Sequence, residues 1–238
     1  LVYSNTLNGR FVWDDRGSIV FNTSLRTINN IPLFFITDQW KLTGNPSSNY
    51  YRPVINTFWA LEFQLWGENP RGYHVTNILL HALLSFLFFN LCLKILGSDA
   101  ASFFSALIFA AHPIHTECVA WITGVGYIIF SIFIVLSLLF YIRFTDNQSG
   151  TSLILSISSF TLAVFSIEYA LMFPFIIIAY EHLFKRRMVR VKIILPFILI
   201  PILYLVAREF IVVSGNSSEM PLYSRILTSA VIQVKYLY

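Results

Sequence analysis

From Gly72 onward, apolar blocks follow one another along the chain with only brief polar interruptions. A bilayer core asks for about 20 apolar residues per helix, and little else asks for such blocks in succession. The blocks neither alternate nor follow a heptad, which excludes an outer-membrane barrel and a coiled coil. Of the 238 residues 56% are hydrophobic and 12% charged, where an ordinary soluble domain carries roughly 25% charge. A water-soluble globule and a disordered chain are thereby excluded. The expected class is all-α, a polytopic helical membrane protein with a large external first loop.

Two regions are expected. Residues 1–71 are the wet part, holding Asp14, Asp15, Asp38, Lys41, Arg52 and four of the five Trp residues. Their mixed polar and aromatic content suits a loop region at a membrane interface, where Trp and Tyr rest at headgroup level. Within it, 54–66 reads as a short amphipathic helix lying on the bilayer. Residues 72–238 read as a transmembrane bundle of about six or seven spans, at 73–96, 100–111, 127–144, 153–165, 169–184, 193–213 and from 226. Spans 100–111 and 153–165 are short and read equally as broken or re-entrant helices. No secretory leader of the usual form is expected, and the chain reads as a fragment. Cys92 and Cys118, the only cysteines, lie in or beside apolar stretches and indicate neither a zinc site nor a disulfide framework.

Orientation follows from charge. Lys185, Arg186, Arg187, Arg190 and Lys192 form one basic run between two apolar blocks, which sets orientation rather than binding nucleic acid and is placed on the cytoplasmic side. Alternating the crossings backwards puts 1–71, 112–124, 166–168 and 214–225 on the opposite face. Asp14, Asp15, Arg52, His112, His115, Glu117 and Glu168 then share one non-cytoplasmic compartment. Polar groups at or near apolar spans are costly, so such a gathering reads as a functional site.

Each member also has a plainer reading. Asp14 and Asp15 follow Phe11-Val12-Trp13; a carboxylate beside apolar bulk can take a proton from a hydroxyl, or the pair belongs to a solvated loop or caps a helix near Ser18. His112-Pro113-Ile114-His115-Thr116-Glu117 lacks metalloprotease spacing, and capping with substrate contact is preferred to a divalent metal. Arg52, beside Tyr50, Tyr51 and Pro53, fits a substrate phosphate or a lipid headgroup. Glu168 is a ligand or a carboxylate at the membrane rim.

Four strings in order resemble the transmembrane and tetratricopeptide-repeat O-mannosyltransferase family and its prokaryotic relatives: Asn8-Gly9-Arg10-Phe11-Val12-Trp13-Asp14-Asp15, Tyr51-Arg52-Pro53, 72–82 (GYHVTNILLHA) and 112–120 (HPIHTECVA). The resemblance implies a GT-C glycosyltransferase, which takes a sugar from a polyprenyl-phosphate carrier and gives it to a Ser or Thr hydroxyl on the outer or lumenal side, with inversion. It also implies that Asp14 or Asp15 is the base. Arg52 then holds the donor phosphate, and His112, His115, Glu117 and Glu168 orient sugar or acceptor. Where relatives carry Gly-Arg and an acid, this chain has Gly124-Val125-Gly126, and where many carry Lys-Glu it has Ile167-Glu168. Arg208 is the expected substitute for the missing cations. A catalytically impaired relative, a lipid-linked sugar transporter and a binding scaffold are the alternatives.

The expected partners are a polyprenyl-phosphate-linked sugar, an acceptor protein and membrane lipid, with mannose favoured by resemblance. The expected location is a bacterial or archaeal plasma membrane or the endoplasmic reticulum. The first transmembrane helix and the tetratricopeptide repeats that the resemblance implies are not read within these residues. Asn22-Thr23-Ser24 and Asn216-Ser217-Ser218 would accept glycans in a secretory compartment.

Overall fold

The computed structural model describes residues 2–39, 50–185 and 190–212. Arg186, Arg187, the 214–225 loop, the span from 226 and the Asn216 triplet lie outside them. Among the described residues the regular structure is helical, with no strand. In order the α-helices are α1 (Ile31–Phe34), α2 (Pro53–Trp66), α3 (Pro70–Leu96), α4 (Asp99–Ala111), α5 (Thr116–Ala120), α6 (Val125–Asn147), α7 (Gly150–Val164), α8 (Phe173–Tyr180) and α9 (Val191–Val212).

Among the described residues three segments are long and apolar enough to cross a bilayer: Pro70–Leu96, Ile122–Asn147 and Val191–Val212. A fourth crossing is available only as a bent pair, Asp99–Ala111 with Pro113–Ala120, at 46° to each other. That bend falls where Pro113 removes a backbone donor and His112 turns extended. The expected short span at 100–111 is therefore one limb of a bent pair, as a broken span or a re-entrant loop would be. Helix α7, at 15 residues, also falls below bilayer length. The stretch expected to cross at 169–184 is divided into a 3-10 turn at Glu168–Met172, the eight residues of α8, and a π-turn at Glu181–Lys185. Helix α9 accommodates Pro196 and Pro201 in its interior.

Two helical hairpins are built with the same turn chemistry. Gly97 at the end of α3 has φ +65°, and Ser98 then caps α4 by accepting from Ala101 N. Gln148 at the end of α6 has φ +54°, and Ser149 caps α7 by accepting from Ser152 N. A left-handed residue stops the first helix, and a serine satisfies an orphan donor of the second. Between α6 and α7, Ser137 and Ser156 each donate to the other's carbonyl oxygen at 2.8 Å, a close small-residue contact of the kind that packs helices in lipid.

At one end, Asn77 of α3 donates to the carbonyls of Val119, Trp121 and Ile122, which immediately precede α6. Helices α3 and α6 thus start together and run parallel. The opposite end carries the Lys185–Asp146 ion pair at 2.7 Å.

The N-terminal region shares a core with the bundle. Ile19, Leu25 and Phe34 pack with Ile55, Trp59 and Ala60 of α2, and the same cluster takes in Tyr73, Ile122 and Val125. Helix α2 buries that face and leaves Leu61, Leu65 and Trp66 outward. A second cluster, rich in aromatic rings, joins Tyr141, Phe160, Phe173, Phe197 and Tyr204 across α6 to α9.

Inside the first cluster's layer sits a carboxyl group. Glu62 of α2 is buried with neither carboxyl oxygen hydrogen-bonded, since the neighbouring Thr76 hydroxyl donates to Gly72 O. Burial pushes the Glu62 carboxyl up to about 8, so it is held neutral at neutral pH. Its folded-state value lies above its unfolded one, so its contribution is greatest below about pH 4.5 and is lost as pH rises towards 8. Glu62→Gln should flatten the pH dependence of the thermal midpoint between pH 5 and 8 and raise the midpoint at pH 8. A variant tracking the parent across that window would contradict this placement.

Candidate active site

The end of the bundle where α3 and α6 begin gathers four segments that are distant in sequence. Tyr3 Oη donates to His112 O at 3.0 Å. Asp15, with no exposed surface, accepts from Thr123 N and Thr123 Oγ1 on Oδ1, both at 2.9 Å, and from Val12 N on Oδ2 at 3.0 Å. Burial raises its pKa, against the opposing effects of these hydrogen bonds and of His74. Asp15 is therefore neither a solvated loop acid nor a helix cap. Although it precedes the Arg16–Val20 turn, its side chain makes no cap hydrogen bond there.

The loop so anchored is strained at its tip. Trp13 has φ +48°, a conformation that bulky residues avoid and that persists only when the surroundings impose it. The residue is 80% exposed, and its ring stacks on Trp121 at 5.6 Å. Asp14, between Trp13 and the buried Asp15, is partly exposed and makes no hydrogen bond or ion pair among the described residues. Behind the loop, Gly9 lies so close to His74 that an added Cβ would sit 2.5 Å from Nε2.

A second joint closes the other side. Arg52 donates through Nε and Nη2 to Glu168 Oε2, at 3.2 and 2.9 Å. The guanidinium also lies over the Tyr50 ring, 4.3 Å from its centre. Two residues expected to act separately thus form one unit. Tyr204 Oη donates to Tyr51 O at 2.9 Å, and Arg52, Glu168 and Arg208 are all within electrostatic reach of Tyr204. Arg208, one helical turn beyond Tyr204 on α9, joins the group.

The histidine bend is a mixture of exposed and packed rings. His112 is exposed and its Nδ1 accepts from Ile114 N, capping the Pro113–His115 turn. His115 packs against Phe109 at 4.4 Å and against His81 at 5.3 Å. Glu117 is exposed in the first turn of α5. Among the described residues no three His, Cys, Asp or Glu side chains are grouped to hold a metal ion.

Sequence reasoning missed Thr123, Trp121, Asn77 and Tyr204. Thr123 is 108 residues from Asp15, and no local spacing announces such a partner. Asn77 and His81 lie inside a quoted motif, 72–82, where one polar residue per turn facing inward was the available signal.

Comparison with known proteins bears on this arrangement. The chain is 37% identical over 150 residues to Protein O-mannosyl-transferase tmtc2 of Xenopus laevis, and 39% identical over 149 residues to TMTC2 of Homo sapiens. Over that stretch the chain is similar to the TMTC proteins. Each alignment takes in 62% of this chain but 18% of the relative. TMTC4 of Mus musculus is 33% identical over 170 residues, which are 63% of this chain and 23% of that one. No family model and no solved structure matches the chain. The TMTC relatives carry the name of an O-mannosyl-transferase, the activity that the four quoted strings led one to expect.

The Asp15 clamp can be tested alone. Thr123→Val removes the hydroxyl donor and keeps the shape, and a hydrogen bond to a charged group is worth about 1.5–3 kcal/mol. A fall in the thermal midpoint of several degrees is expected at pH 7. An unchanged midpoint would mean that the loop is held elsewhere.

Proposed function

We propose that this chain forms the acceptor-side part of a membrane glycosyltransferase, which moves mannose or another hexose from a polyprenyl-phosphate carrier to a protein Ser or Thr hydroxyl on the non-cytoplasmic face. The observation that carries the reading is the pairing of a buried, anchored Asp15 with a partly exposed Asp14 at the mouth of the site. Similarity to proteins named O-mannosyl-transferases supplies the reaction class.

Asp14 is the base in this reading, and Asp15 is the positioning residue that fixes the loop to the 122–124 turn. The acceptor hydroxyl gives its proton to Asp14 as its oxygen bonds to the anomeric carbon. The bond from that carbon to the carrier phosphate breaks on the opposite face, so the configuration inverts. The departing phosphate requires cationic donors. Arg52 uses two N–H groups on Glu168 and keeps three for the phosphate, and Arg208 adds a second charge. His112, His115 and Glu117 border the acceptor side, and the stacked Trp13 and Trp121 offer a face to a sugar ring. The lumen of the endoplasmic reticulum or the outside of a prokaryotic cell is the compartment in which this face would work.

A second reading has its own observation. Val125 and Ile167, standing where family members carry cations, are both buried, and Ile167 and Ile55 meet at Gly126. The second departure thus packs beside the glycine of the first, and a chain repacked there has lost two phosphate donors together. That favours an impaired relative which retains the carrier without transferring its sugar.

One assay separates them. Full-length protein incubated with a polyprenyl-phosphate mannose and a Ser/Thr peptide should yield mannosylated peptide, reduced about 100-fold or more by Asp14→Asn with the thermal midpoint unchanged. Arg52→Gln should chiefly raise the KM for the carrier. Transfer undiminished in Asp14→Asn would remove the assigned base. Carrier binding without product in the parent protein would establish the impaired reading.

A further inference from the structure

At the end of the bundle away from Asp15, a groove of about 500 Å³ lies between α3 and α6. Its walls follow helical spacing. On α3 they are Phe86, Asn90 and Lys94, and on α6 they are Leu139, Arg143 and Asn147, each set one face of its helix at four-residue steps. Because α3 and α6 run parallel, both stripes pass from apolar to polar in the same direction. Over about 12 Å of helical rise, a hydrocarbon-lined slot becomes a mouth with two cations and two carboxamides.

Neither cation is neutralised. Lys94 and Arg143 make no ion pair among the described residues, and Asp146, the acid closest in sequence to Arg143, is held by Lys185 at 2.7 Å. Both cations stand near helix C-termini, where a positive charge opposes the dipole. That service needs no groove, however, and does not explain why the two face one cavity with Phe86 and Leu139 beneath them. A gradient from hydrocarbon to paired positive charge matches an amphiphile with an anionic head, and basic pockets between transmembrane helices take such lipids.

We infer that this groove binds an anionic phospholipid, with one acyl chain against Phe86 and Leu139 and the phosphate between Lys94 and Arg143. Asn90 donates one amide N–H to Phe86 O and presents the other to the headgroup, while Asn147 reaches it from α6. The site rests on the membrane reading alone and is independent of sugar transfer. It is at the opposite end of α3 and α6 from the acidic pair, at the end that carries Lys185, Arg190 and Lys192.

The test is native mass spectrometry of the full-length protein in detergent with phosphatidylglycerol or phosphatidylcholine of matched acyl chains. The parent should retain phosphatidylglycerol in preference. Lys94→Gln with Arg143→Gln should reduce that adduct by about fivefold for each cation removed, whereas Lys192→Gln, on the exposed start of α9, should leave it unchanged. Leu139→Trp fills the slot without altering charge, and should also abolish retention if the double variant does not fold. Equal retention of the two lipids, an equal loss in Lys192→Gln, undiminished adducts in Leu139→Trp, or displacement by excess inorganic phosphate would each overturn the site.

Discussion

The arrangement depends on one buried carboxylate. Asp15 loses its water on folding, and the cost of that is met by three donors, two of which come from Thr123, 108 residues further along. An acid with no exposed surface can hold two segments together only if both supply hydrogen bonds, so the contact is demanding about geometry in a way that apolar packing is not. From it follow the left-handed backbone of Trp13, the stack on Trp121 and the outward placement of Asp14. Asn77 fixes the other side of the same turn through three carbonyls. The loop and the start of α6 are consequently one body, and Arg52 with Glu168 attaches the 165–169 turn to it.

How the bundle meets this layer explains the mixture of long and broken helices. Helices α3 and α6 are long and apolar enough to cross without a break and provide rigid posts, whereas α4 with α5 bends at His112-Pro113 and the 168–185 stretch divides into three short pieces. Irregular backbone is tolerated at membrane depth only where protein or an aqueous cavity satisfies it. Here the bend is satisfied from within, by Tyr3 Oη on His112 O, His81 on Ala110 O and Asn77 on the residues just beyond. The polar residues that look misplaced in apolar spans are the ones that make the breaks possible.

Much of this was legible in the residues. Apolar run length gave the class and the positions of α3, α6 and α9, because a 20-residue hydrocarbon requirement leaves few alternatives. Charge asymmetry put Asp15, Arg52, the histidine bend and Glu168 on one face, and the structure brings these segments to one end while Lys185 lies at the other. What could not be read was pairing. Arg52 and Glu168 are 116 residues apart, and each alone resembles a rim charge. The different placements of Asp14 and Asp15 were hidden for the same reason, since adjacency in sequence says nothing about which carboxylate turns inward. Where the helices break among the described residues was also hard to read from hydropathy, because Pro113 and Pro174 are single residues beside long apolar runs.

The disposition of the two ends is the central claim, and membrane-impermeant maleimide labelling in sealed vesicles tests it directly. With Cys92 and Cys118 replaced by Ser, single cysteines at the exposed positions Trp13, Ile114 and Arg190 should divide cleanly. Trp13→Cys and Ile114→Cys should label from one side and Arg190→Cys only from the other. Labelling of Trp13→Cys and Ile114→Cys from opposite sides would contradict the account, because the Asp15 clamp could not then close.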